Sequence, residues 1–127
     1  YYYVFADGKD KSAVGVYAIP EKIEFVSYGE PHEKLRYTLN DSILMSGGDR
    51  YKSLVDKVKH SFSKIDEEKS ISLMNFPVAM DSNLHSVLFI PEFLKLRVAN
   101  ASRKGPAYIN KFYSYSLLDL LSENWYK

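Results

Sequence analysis

Between positions 49 and 65 the apolar residues recur with the period of an α-helix, and no other feature of the chain restricts its fold so strongly. Tyr51, Leu54, Val55, Val58, Phe62 and Ile65 fall within one arc of roughly 100° on a helical projection. Lys52, Asp56, Lys57, Lys59, His60 and Lys64 fill the opposite side. A helix with one apolar stripe has to bury it against another layer of structure. Asp49 follows Gly48 and stands where an N-cap carboxylate would accept first-turn N–H groups. The run Asp66-Glu67-Glu68-Lys69 reads as the polar exit of this helix.

The flanking segments have the period of strands. Tyr1 to Ala6 and Ala13 to Ile19 are β-favouring and are separated by Asp7-Gly8-Lys9-Asp10, where Gly8 can take positive φ. Ile23 and Phe25 alternate with Glu24 and Val26 in a third strand that ends at Gly29-Glu30-Pro31. Leu35, Tyr37 and Leu39 allow a fourth. Ile71 to Met80 and Leu84 to Ile90 read as buried strands, the first placed at an edge or bulged by Pro77. Leu94, Leu96 and Val98 alternate with Lys95, Arg97 and Ala99, which predicts a half-buried strand with a cationic outer face. Ala107 to Tyr113 reads as its return strand. Leu117, Leu118, Leu121 and Trp125 share a helical face over 116–126, and Ser116 with Asp119 forms a variant capping box. The sum is one α+β domain over 1–127. A mainly antiparallel sheet, strongly curved in one reading, packs a central helix (49–65) and a carboxyl-terminal helix (116–126) on one face.

Composition narrows the function classes. At 127 residues and 46% apolar, the chain has material for a self-sufficient core. With no Cys there is no disulfide scaffold, thiolate metal site or Cys nucleophile. No apolar run is long enough for a membrane helix, which needs about 18 residues, so no membrane partner is expected. The chain opens on Tyr1 with no basic leader, as an excised or processed piece would. Asn40-Asp41-Ser42 and Asn100-Ala101-Ser102 match glycosylation triplets that matter only in a secreted chain. An intracellular setting is the expectation.

The formal net charge is +1, which gives no global field for polyanions. The cations are nevertheless unevenly placed. Lys95, Arg97, Arg103, Lys104 and Lys111 lie in a stretch from 93 to 118 that contains no acid, close to Tyr108 and Tyr113. Cations for phosphates and flat rings for unpaired bases are what nucleic-acid binding requires. Eleven tyrosines are a second peculiarity. Tyr1, Tyr2 and Tyr3 cannot all face one core, because neighbours in a strand alternate sides. At least one ring is expected to be exposed or to cover something outside the main core, as suits a surface buried only when a partner arrives.

Other constellations are weaker. Ser46-Gly47-Gly48-Asp49-Arg50 feeds a helix but matches no phosphate-loop spacing, and Asp49 repels an anion. His32, His60 and His85 are dispersed, so neither metal nor cofactor is expected, and His60 or His85 supports only a minor nuclease or hydrolase reading. Asp81, Glu92 and Lys95 make a poor catalytic cluster. The leading expectation is a non-enzymatic binding domain. Its contacts to nucleic acid or an acidic protein would come from Lys95, Arg97, Arg103, Lys104, Lys111, Tyr108 and Tyr113. The alternative is an assembly subunit, a homo-oligomer or partner of another protein, that pairs through Tyr1, Tyr2 and Tyr3 on an edge strand.

Overall fold

The structure, a computed structural model, describes residues 1–30, 32, 39 and 41–122. It is α+β, with two three-stranded antiparallel sheets separated in sequence by helices. Strands β1 (Tyr2–Asp7), β2 (Ser12–Ile19) and β3 (Lys22–Val26) form a meander. Helices α1 (Asp49–Ser61) and α2 (Glu67–Leu73) follow. Strands β4 (His85–Ile90), β5 (Lys95–Asn100) and β6 (Tyr113–Ser116) form the second meander, and α3 (Leu117–Ser122) follows it. Single 3-10 turns occur at Pro91–Phe93 and Ala107–Ile109.

The amphipathic stripe of α1 makes the core, as its period demands. Tyr51, Leu54, Val55 and Val58 are buried, and Leu73 and Val78 meet them from α2 and the loop beyond it. Leu39, Leu44 and Met45 close over this cluster. The segment before α1 also lies on the first sheet, where a Cβ on Gly15 would stand 2.7 Å from the Met45 sulfur. The core is thin for a self-sufficient domain. Among the described residues Val55 is the largest side chain that is fully buried, and many large apolar side chains lie in water. The chain exposes 9440 Å², where a compact monomer of this mass exposes roughly 6,900 Å².

Several expectations are corrected. The central helix stops at Ser61 and not Ile65, because Phe62 is extended and Ser63 takes φ 62°. Gly48, not Asp49, occupies its N-cap, with no side-chain cap. The run 66–69 is the start of α2: the Asp66 side chain accepts the Lys69 N–H at 2.7 Å. Residues 71–80 therefore complete a helix and then turn through Pro77, and form no strand. Ala107 to Tyr113 is a 3-10 turn leading into β6, which begins only at Tyr113. Lys11, not Gly8, takes positive φ in the first hairpin. Gly8 is required for a close approach: a Cβ there would stand 2.4 Å from the Pro91 carbonyl carbon. Leu35 and Tyr37 of the suggested fourth strand, and Trp125 of the last helix, lie outside the described residues; Leu39 makes an isolated bridge with Ser42.

Candidate binding surface

The second sheet is turned over relative to the sequence expectation. The register pairs Leu88 with Arg97, Ile90 with Lys95, and Ser114 with Arg97, so these residues share one face. That face packs towards α2. Lys95 Nζ lies 2.9 Å from Glu67 Oε2, and Arg97 Nη1 lies 2.6 Å from Glu68 Oε1 and 3.6 Å from Glu67 Oε2. The Arg97 side chain keeps only 15% of its exposure, and its Nε is buried with no hydrogen-bond partner. The cationic face of β5 is thus the inner one. Its apolar alternation, Leu96 and Val98, joins Val87, Phe89, Tyr113 and Tyr115 on the outer face. There Phe89 is 68% exposed.

The other members of the basic aromatic group stay apart from this pair. Arg103 and Lys104 are exposed on the turn closed by the Ser102–Gly105 bridge. Lys111 Nζ stands 5.1 Å from the centre of the exposed Tyr113 ring, a cation–π contact. Tyr108 donates its hydroxyl to Asp81 Oδ1 at 3.2 Å. Desolvation, and then the Asp81 carboxylate, hold its phenol above the usual tyrosine range. Of the seven residues singled out, the fold joins Lys111 to Tyr113, ties Lys95 and Arg97 to carboxylates, and tethers Tyr108.

The three leading tyrosines divide as strand geometry requires. Tyr1 and Tyr3 lie on the outer face of the first sheet, with ring centres 6.3 Å apart. Tyr2 lies on the opposite face and packs on Tyr17 at 5.2 Å. The outer face continues through Phe5 on β1 and through Ile23 and Phe25 on β3. Its five large apolar side chains, Tyr1, Tyr3, Phe5, Ile23 and Phe25, are between 48% and 85% exposed. Sequence alone does not single out Phe5, Ile23 and Phe25 as surface residues. Their signal is that β1 and β3 are apolar at positions of both parities, so neither face of this sheet can be wholly polar.

Among the described residues no strand pairs with the edge of β1 away from β2. Tyr1 and Ala18 exchange both backbone hydrogen bonds, at 2.7 and 3.0 Å. By alternation the N–H and C=O groups of Tyr2, Val4 and Ala6 point away from β2. No Lys, Pro or bulge guards this edge, the usual protections against strand pairing.

The histidines do not converge. His32 Nε2 meets Glu24 Oε2 at 2.7 Å, His60 Nδ1 meets the Asp56 carbonyl at 2.7 Å, and His85 Nδ1 meets Asn100 Oδ1 at 2.8 Å. Among the described residues no group of three or more His, Cys, Asp or Glu side chains could hold a metal ion. No described helix is long and apolar enough to cross a membrane. No family model matches the chain, and comparison with curated proteins and with solved structures returns no significant similarity. The surface therefore has to be judged on its own chemistry: an α+β domain with exposed tyrosine and other apolar side chains and some surface charge, an arrangement consistent with a binding surface.

Proposed function

We propose that this domain binds another protein chain, a second copy of itself being the first candidate, and acts without catalysis. The observation that carries the reading is the outer face of the first sheet, where Tyr1, Tyr3, Phe5, Ile23 and Phe25 stand in water together. Contiguous exposed apolar surface of this kind marks an interaction site. Tyrosine and phenylalanine are also the residues enriched where a partner excludes water. The edge of β1 away from β2 offers a backbone register for the same contact.

The anionic-partner reading has less support, because Lys95 and Arg97 spend their charge on Glu67 and Glu68. Arg103, Lys104 and Lys111 remain as its cations.

Size-exclusion chromatography with light scattering tests the proposal across a range of salt. The expected result is self-association that persists at high ionic strength, because apolar contact is insensitive to screening. Phe5→Ser with Phe25→Ser should abolish it, and Arg103→Glu with Lys104→Glu should leave it intact. A strictly monomeric chain that instead binds RNA, with affinity falling steeply as salt rises, would overturn the reading.

A further inference from the structure

We propose that the cavity between the start of α1, the α2 loop and β4 is a site for a small aliphatic monocarboxylate. Its carboxylate would rest on Arg50 and its hydrocarbon chain among the methionines. The inference does not rest on the protein-binding reading: the cavity touches the first sheet only at Tyr2, on the face opposite Tyr1, Tyr3, Phe5, Ile23 and Phe25.

The cavity measures about 420 Å³, within the range of roughly 300–1,000 Å³ that small-molecule sites occupy. Its apolar wall comes from Met45, Ile71, Met74, Val78, Met80 and Phe112. These include all three methionines of the chain, Met45 from the segment before α1 and Met74 and Met80 from the end of α2 and the loop beyond it. Methionine is unbranched and polarisable, so a wall made of it repacks around a flexible chain and does not specify one rigid outline.

The charge on the wall is one-sided. Arg50 lines the cavity, whereas among the described residues no Asp or Glu does. Arg50 takes part in none of the ion pairs found among the described residues. Its guanidinium lies beside Gly47: a Cβ on Gly47 would stand 3.5 Å from Nη2. The fork of N–H donors is therefore at the cavity wall, where it suits a planar carboxylate. His85 also lines the cavity, and its Nδ1 is occupied by Asn100. One available guanidinium, on a wall whose other side chains are apolar or polar without Lys, Asp or Glu, matches a ligand with a single anionic group and a largely apolar body. A phosphate or a polyanion would find no second Arg or Lys among the described residues of the wall.

Calorimetric titration of the full chain at neutral pH, with decanoate and with decanol below their aggregation limits, tests the assignment. The expected result is one decanoate per chain, bound at least about tenfold more tightly than decanol, since hydrogen bonds to ionised groups carry that much preference. Arg50→Gln should bring the two ligands within about twofold of each other by weakening decanoate alone, whereas Arg50→Lys should keep the anion preferred. Met74→Trp, at an exposed position of the wall, should weaken both. Phe5→Ser with Phe25→Ser should change neither. Equal affinities in the unaltered chain, an anion preference that survives Arg50→Gln, or loss of binding in the Phe5/Phe25 variant would each overturn the proposal. So would an apolar hexapeptide that binds more tightly than decanoate and protects the Val87 amide from exchange, because that result assigns the cavity to strand addition along β4.

Discussion

Arg97, on the middle strand of the second sheet, reaches back to the start of α2 and meets Glu68 at 2.6 Å, Nη1 to Oε1. With Lys95 on Glu67, this contact turns the basic side of β5 towards the helix and sends the strand's apolar side outwards. The two partners are unequally covered, since the Glu68 side chain is three-quarters exposed and Arg97 is mostly enclosed. Removing the acids therefore leaves a buried cation unpaired, whereas removing the cation returns the acids to water. Glu67→Gln with Glu68→Gln should destabilise the fold by about 1–3 kcal/mol. Arg97→Met should cost distinctly less. Urea denaturation of the two variants checks the ordering.

Lys57 ties the two helices together. Its ammonium donates to the carbonyls of Leu73, Asn75 and Phe76 at 3.3, 2.7 and 3.2 Å, and so supplies donors that the end of α2 lacks. Lys57→Met should destabilise the domain by about 1–2 kcal/mol, the net of charged hydrogen bonds lost and desolvation relieved. Burial holds this ammonium below the ordinary lysine value of 10.5. In the window between the lowered value and 10.5 the unfolded chain binds more protons, so this group makes stability rise with pH there. Denaturation midpoints on the alkaline side should show that slope in the unaltered chain and a smaller one in Lys57→Met.

Glu24 gives the first sheet an acid sensitivity. Hydrogen bonds from Lys22 and then His32 hold its carboxyl below the ordinary value of 4.5. With the folded value depressed, the contribution is fully present above 4.5 and is lost as pH falls through the folded value. The stability difference between the unaltered chain and Glu24→Gln should therefore shrink as pH falls below 4.5. Paired urea titrations at descending pH measure it.

Gly8 sets how the first hairpin meets the second sheet. A methyl group there would collide with backbone at Pro91 and Glu92, which cannot step aside as a side-chain tip could. Gly8→Ala should cost about 1–3 kcal/mol as overpacking. It should also loosen the Lys11–Glu92 ion pair, which spans 3.3 Å beside that contact. Amide exchange at Leu94, whose N–H is held by the Pro91 carbonyl, should accelerate.

Local chemistry by itself determined much of this protein. The period of residues 51–58 predicts α1 and its buried stripe, and the alternation and turn residues of 1–26 predict the first meander. The Ser116 hydroxyl accepts the Asp119 N–H at 3.2 Å, as the spacing of those residues predicts for the start of α3. The impossibility of placing Tyr1, Tyr2 and Tyr3 on one face also follows from strand geometry alone. Tertiary structure decided the rest. Alternation defines two faces for β5 but not which is inner, and only the arrival of Glu67 and Glu68 from 28 or 29 positions away in sequence decides it. Helix α2 is too short to show a period, and it depends on the Asp66 cap at one end and Lys57 at the other. The candidate cavity likewise exists only because separate segments carry Arg50 and three methionines to one place. Periodicity is a property of neighbouring residues, whereas facing and pairing are properties of contacts between distant ones.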